Sequence, residues 1–307
     1  MSQFMYQEHF GLRELPFSLT PDTSYFFSYG HFADALNTLL VAIRAGEGFI
    51  KVTGEVGTGK TLICRKLLNT LDDVFVSAYI PNPMLTPYGL QAAIAEELGI
   101  PITQNFGHHH LQKMIAERIL ELNHSGKRVV LCLDEAQALP LETLETLRLL
   151  TNLETEKRKL LQVVLFGQPE LDERLDDPRV RQLKQRITFS FKLLPIDRNG
   201  MQAYINHRLV VAGYQGGNLF NHQSLGQLYK ASRGIPRLIN ILSHKSLMVA
   251  YGRGDRAIEK LHVASAVKDT CDATFQARNG ATFKWLAAVF TTLVFTVGAI
   301  FWNSSVG

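Results

Sequence analysis

Apolar positions change period several times along the chain, and each change predicts an element. Residues 31–45 (HFADALNTLLVAIRA) place Phe32, Leu36, Leu39, Leu40 and Ile43 at helical spacing. Gly48-Phe49-Ile50-Lys51-Val52-Thr53 then reads as a short β-rich strand, and residues 60–71 return to helical character. Residues 74–80 predict a second strand, closed by Pro81-Asn82-Pro83, and two helices follow at about 87–98 and 109–124. Residues 129–133 (VVLCL) form a continuous apolar run, the pattern of a strand covered on both faces. Leu141, Leu144, Leu147, Leu150 and Leu153 recur at helical spacing as a core-facing stripe; residues 160–166 and 187–191 predict a fourth and a fifth strand.

Strands alternating with helices predict an α/β fold: a parallel five-stranded sheet with helices on both faces. After Pro195 the β signal stops. Residues 197–213, 222–231, 235–250 and 258–269 read as helices separated by Gly213, Gly216-Gly217, Gly234 and Gly252, which predicts a small all-helical domain. The expected organisation is a core at 1–195, a helical domain at 196–272, a junction at 273–282, a membrane helix at 283–302 and a tail at 303–307.

The membrane helix rests on residues 283–302 (FKWLAAVFTTLVFTVGAIFW), where Lys284 is the only charge and no polar face exists. From Trp285 to Trp302 a helix covers roughly 27 Å, close to the hydrocarbon thickness of a bilayer. Both tryptophans fall where interfacial rings belong. Lys268, Arg278 and Lys284 precede the span and no charge follows it, so the expected topology is single-pass with the large N-terminal part in the cytoplasm. The first 25 residues lack a basic start followed by an apolar run, so no signal peptide is expected.

Composition changes this picture little. A hydrophobic share of 46% with 20% charged residues excludes a disordered chain. A formal charge of +4 permits anionic partners without requiring them, and no dense basic stripe marks a nucleic-acid binder. Lys157-Arg158-Lys159 and the group Arg179, Arg181, Lys184, Arg186 are scattered clusters. Three cysteines (Cys64, Cys132, Cys271) are too few and too separated for a disulfide framework or a zinc site, which points to a reducing compartment. His108-His109-His110 reads as a solvated helix start.

The chemistry lies in Gly54-Glu55-Val56-Gly57-Thr58-Gly59-Lys60-Thr61, a G-x-x-x-x-G-K-[ST] motif between a predicted strand and a predicted helix. Its glycines let backbone N–H groups converge on phosphate oxygens, and the following helix adds its positive end. Lys60 is expected to reach the β- and γ-phosphates and Thr61 to ligate Mg²⁺. Asp134-Glu135 ends the third strand, expected beside the P-loop. Asp134 is assigned to the Mg²⁺ shell and Glu135 to polarising the attacking water, the pattern of hydrolysis. A GTPase is disfavoured because no Asn-Lys-x-Asp signature occurs.

Gly54 to Thr61, the 129–135 block, Gly167-Gln168-Pro169-Glu170-Leu171, Gly234-Ile235-Pro236-Arg237 and the opening Pro16-Phe17-Ser18-Leu19-Thr20-Pro21-Asp22 together resemble the AAA+ ATPases of the general secretory pathway A, or ExeA, type. The resemblance covers roughly residues 8–270. It implies a P-loop AAA+ core with a helical lid. The implied nucleotide-binding residues are Gly54, Glu55, Val56, Gly57, Thr58, Gly59, Lys60, Thr61 and Leu62, with Thr61 and Asp134 for the metal. Lys60, Glu135, Gln168 (the polar sensor) and Arg237 (the second sensor) are the implied catalytic set. Asn82 is a candidate to hold Glu135 in an inactive rotamer, and Pro16-Phe17 to line the adenine pocket. One of Arg179, Arg181 or Arg186 is expected to complete a neighbouring subunit's site, and the choice among them stays open.

The implied function is a membrane-anchored cytoplasmic ATPase of the bacterial inner membrane, homo-oligomeric, serving assembly of a type IV pilus or secretion apparatus. A DNA-associated ATPase resembling transposition helpers and a nucleotide-gated scaffold are the alternatives, with nucleic acid the less expected partner. Members of the family often carry a peptidoglycan-binding domain beyond the membrane helix. With the sequence ending at Gly307, direct cell-wall binding is an expectation in doubt.

Overall fold

The computed structural model describes residues 5–102, 107–154, 159–270 and 273. In chain order the helices are α1 (Met5–Phe10), α2 (His31–Ala45), α3 (Lys60–Thr70), α4 (Pro87–Glu97), α5 (His108–His124), α6 (Leu141–Leu150), α7 (Glu170–Leu175), α8 (Arg181–Lys184), α9 (Arg198–Val211), α10 (His222–Ser232), α11 (Pro236–Arg253) and α12 (Lys260–Lys268). The strands are β1 (Phe49–Gly54), β2 (Phe75–Ile80), β3 (Arg128–Leu133), β4 (Leu161–Gly167) and β5 (Ile187–Leu193). The expected membrane span at 283–302 and Cys271 lie outside the described residues. Among the described residues no helix is long and apolar enough to cross a membrane.

By contacts the chain forms two compact units, Thr20–His207 and the pair Met1–Leu19 with Arg208–Gly307. The first holds a parallel five-stranded sheet in the order β2-β3-β4-β1-β5. Burial explains the near-continuous apolar runs: every residue of β4 is buried, and so are all of β3 but Arg128. Alternate side chains serve opposite faces. On one face Val129, Leu131 and Leu133 share a core with Leu90 and Ile94 of α4, Ile115 and Ile119 of α5, and Leu144 and Leu147 of α6. On the other face α3 packs against β1 and β4, and α2 against β5. There the thiols of Cys64 and Cys132 meet, and their contact together with burial pushes the Cys64 thiol up.

One expectation is corrected here. β3, which ends in Asp134, does not neighbour β1, because β4 stands between them. Neighbour order in a parallel sheet follows the crossovers, which apolar runs do not encode. The insertion has a consequence: the end of β4 faces both the P-loop and the carboxylates.

Two polar side chains of this unit are tied to backbone carbonyls. Gln162 is 1% exposed in the middle of β4, and its amide donates to the Ile43 and Glu47 carbonyls, both 2.9 Å away. Arg128 donates to the Arg44 and Ile43 carbonyls at 3.0 and 2.8 Å. Together they add donors to carbonyls at and just past the end of α2, which stops at Gly46, whose φ of 91° suits glycine.

In the second unit α11 packs against α1, α10 and α12. Tyr6 and His244 pair through the phenol and Nδ1 at 2.8 Å, joining α1 to α11. Buried His262 accepts the Glu259 N–H at Nδ1 (3.0 Å) and bonds Asp255 at Nε2 (2.9 Å), fixing the start of α12. Phe17, only 2% exposed, sets its ring against that of Phe220.

Candidate nucleotide site

β1 delivers the chain into the glycine loop at Gly54, and α3 begins at Lys60. Gly57 and Gly59 sit at φ of 80° and 97°, a region costly for side chains with a Cβ. The loop is tied internally: Thr58 donates through both its N–H (3.2 Å) and its Oγ1 (2.8 Å) to the Glu55 carbonyl. No side chain caps α3 at Gly59, so its first-turn N–H groups remain available to an anion. Val56, 56% exposed, stands at the tip, and Leu62 is half-buried in the first turn of α3.

Lys60 is 5% exposed and donates to the Gly54 (2.8 Å) and Glu55 (3.1 Å) carbonyls. Burial lowers its pKa, opposed by the carboxylates of Glu135, Asp134, Glu55 and Glu170. A cation ringed by acids and backbone carbonyls suits an anionic ligand brought with a metal.

Thr61 donates its hydroxyl to Asp134 Oδ2 at 2.6 Å, which brings two hard oxygens together at the open end of α3. Burial pushes the Asp134 carboxyl up, against the Thr61 and Glu135 N–H hydrogen bonds. A single carboxylate with a hydroxyl fits Mg²⁺, which keeps most of its shell for water and phosphate oxygens. Among the described residues there is no group of three or more His, Cys, Asp or Glu for a metal bound by protein alone.

Glu135 follows at φ 52° and ψ 38°, a left-handed conformation unusual for its type. Its Oε2 accepts from Gln137 Nε2 at 2.6 Å and from Gln168 Nε2 at 3.1 Å. Gln168 also donates its backbone N–H to Gln137 Oε1 at 2.9 Å. Burial alone raises the Glu135 pKa, but these two amides and Lys60 outweigh it and hold the group below its usual range.

The P-loop residues, Asp134, Glu135 and Gln168 thus converge in the sheet unit. Arg237 lies in the other unit, exposed in the first turn of α11 after Gly234 (φ 76°) and Pro236. Asn82 is not on Glu135: its Oδ1 accepts the Met84 N–H at 3.3 Å in its own loop. Gln137 went unnoticed in the sequence, where Asp134-Glu135-Ala136-Gln137 carried only a faint hint of it. The three arginines separate cleanly. Arg186 bonds the Arg148 carbonyl, Thr151 and Asn152, and Arg179 pairs with both oxygens of Asp177. Arg181 is exposed and has no partner among the described residues. A cavity of about 410 Å³ lined by Phe27, Tyr29, His31, Phe32 and Leu194 belongs to the same unit, and the Phe32 ring edge also stands against Gly59.

Residues 43–175 match the family model of the AAA domain. The chain is 45% identical over 254 residues to General secretion pathway protein A of Aeromonas hydrophila, covering 83% of this chain and 46% of that protein. It therefore spans about half the length of this curated relative. Among solved structures, Cdc6p of Pyrobaculum aerophilum aligns with a TM-score of 0.62 at 21% identity, over 81% of this chain and 70% of that one. The ADP form of the Aeropyrum pernix ORC2 protein aligns at 0.63 with 15% identity, over 84% and 72%. At such identities these likenesses speak for the fold alone. With the P-loop and the five-stranded parallel sheet, residues 43–175 carry an AAA domain on an α/β P-loop fold, and over 83% of its length the chain is homologous to General secretion pathway protein A.

Proposed function

We propose that the chain binds ATP with Mg²⁺ and hydrolyses it. The observation that carries this reading is the pair at the end of β3: Asp134 bonded to Thr61, and Glu135 held apart from it by two amides. Bound Mg²⁺ supplies charge neutralisation on the phosphates. The protein's own residues divide the rest. The uncapped N–H groups of α3 and the Lys60 ammonium hold the phosphate chain, Thr61 and Asp134 hold the metal, and Glu135 takes the proton of the attacking water through its free oxygen. Gln168 stands within reach of Glu135 to orient that water. The aromatic cavity beside Gly59 offers the purine a stacking surface, a place first expected at Pro16-Phe17. Arg237, the second sensor expected from the resemblance, stands exposed on α11 of the other unit, and Arg181 completes the site of a neighbouring copy.

The wider role is assembly of a type IV pilus, of the mannose-sensitive haemagglutinin type, or of a secretion apparatus. Its supports are the similarity to General secretion pathway protein A and the apolar segment 283–302. That segment anchors the protein in the bacterial inner membrane with the ATPase in the cytoplasm.

The test is ATP turnover by the full chain in lipid, beside two variants. Lys60→Ala is expected to lose nucleotide binding. Glu135→Gln is expected to retain ATP while turnover falls by about 10² to 10⁴. Undiminished turnover in Glu135→Gln would overturn the hydrolytic assignment.

A further inference from the structure

The geometry points to Gln137 as the positioning residue for Glu135, clamping the carboxylate by one oxygen and tying it to the end of β4. This inference rests on the ATPase reading and deepens it.

The amide has only one consistent orientation. Its Oε1 accepts the Gln168 backbone N–H at 2.9 Å, so the donating end is turned to Glu135 Oε2, 2.6 Å away. A backbone donor cannot be flipped, and so it fixes the direction of the side chain that accepts from it. Gly167 leaves room for this arrangement: a Cβ there would stand 3.3 Å from Gln137 Oε1 and 2.8 Å from Leu171 Cδ2. Gln168 adds a second, longer bond to the same Oε2. The other oxygen, Oε1, has no protein partner among the described residues and is left for water.

Glu135 needs such a clamp because of its backbone. At φ 52° it occupies a strained conformation that the surroundings must enforce. Residues 136–138 form a short 3-10 turn directly behind it. That turn carries Gln137 back towards β4, so the strain at Glu135 and the reach of Gln137 have one cause. The donors found on Glu135 are Gln137 and Gln168 and not Asn82, whose Oδ1 accepts the Met84 N–H in its own loop. Of the two donors, Gln137 makes the shorter bond, 2.6 Å against 3.1 Å, and is itself anchored by the Gln168 backbone N–H.

The experiment measures kcat and KM for ATP, ATP affinity and the thermal midpoint in full-length wild type, Gln137→Ala, Gln137→Met and Glu135→Gln. Methionine restores the length and packing of glutamine without its amide. The expected result is a kcat lower by about a hundredfold in both Gln137 variants, with KM and ATP affinity within twofold of wild type. In the Glu135→Gln background, adding Gln137→Ala is expected to lower turnover no further. Wild-type kcat in Gln137→Met would reduce Gln137 to packing and overturn the inference. So would a raised KM at unchanged kcat, or further loss in the double variant. If Glu135→Gln turned over as fast as wild type, the ATPase assignment itself would fall and this inference with it. An inactive Glu135→Gln beside a fully active Gln137→Met would overturn the inference alone.

Discussion

Gly54 closes the strand and opens the loop, and its lack of a side chain keeps both in place. A Cβ there would stand 2.7 Å from Thr58 Oγ1 and 3.0 Å from Leu193 Cβ, with the Leu193 carbonyl at 3.2 Å. Thr58 cannot yield freely because its hydroxyl already bonds Glu55, and β5 is paired to β1 along its length. Gly54→Ala is therefore expected to displace the loop and weaken nucleotide binding at least about tenfold, since misplaced phosphate donors lose their geometry. Titration with a fluorescent ATP analogue checks this, and wild-type affinity would show that Thr58 and Leu193 move aside. The P-loop was legible in the sequence because phosphate chemistry imposes glycine, lysine and hydroxyl at fixed spacing. Asp134-Glu135 was legible from its place after an apolar run. Gln137 was not, because its partner is the backbone N–H of Gln168, and only the assembled sheet brings the ends of β3 and β4 together. The choice among Arg179, Arg181 and Arg186 was closed to the sequence for a similar reason: Asp177 and Asn152 occupy two of them in space.

At the scale of elements, apolar runs announced all five strands, and α2 begins and ends where its helical spacing does. α1, α7 and α8 went unseen since four to six residues show no reliable period. α1 matters for stability, because it meets α11 through Tyr6 and His244. Burial lowers the His244 pKa and pushes the Tyr6 phenol up, so a protonated phenol donates to a neutral imidazole. The sign follows from linkage. An unfolded histidine takes a proton near its ordinary pKa of about 6.5, while His244 in the fold takes it only at lower pH. Stability supplied by neutral His244 is thus present above pH ~6.5, falls as the pH drops through that value, and levels off below the folded pKa. Denaturant midpoints between pH 8 and 5 are expected to fall more steeply for wild type than for His244→Gln. Parallel curves for the two proteins would show that His244 is not a source of the pH dependence.

For the whole molecule, the proposal that neighbouring copies complete each other's sites has a candidate donor among the side chains of the sheet unit. Arg186 is committed to the end of α6 and Arg179 to Asp177, whereas Arg181 is exposed and unpaired among the described residues. A guanidinium given to the neighbouring site stabilises charge developing on the transferred phosphoryl group and leaves ground-state binding nearly untouched. Arg181→Ala is therefore expected to bind ATP normally and turn it over slowly, and turnover of the wild type should rise per subunit with concentration. Mixing separates this from a fault within one subunit. Arg181→Ala keeps its own Glu135, and Glu135→Gln keeps its own Arg181, so an interface between the two can bring an intact base and an intact arginine to one nucleotide. At equal proportions and random assembly, about a quarter of the interfaces hold both, and the mixture should recover about a quarter of wild-type turnover although each variant alone is inactive. A mixture as inactive as its components would mean that Arg181 is not shared between copies, and the trans donor would have to be sought among other arginines.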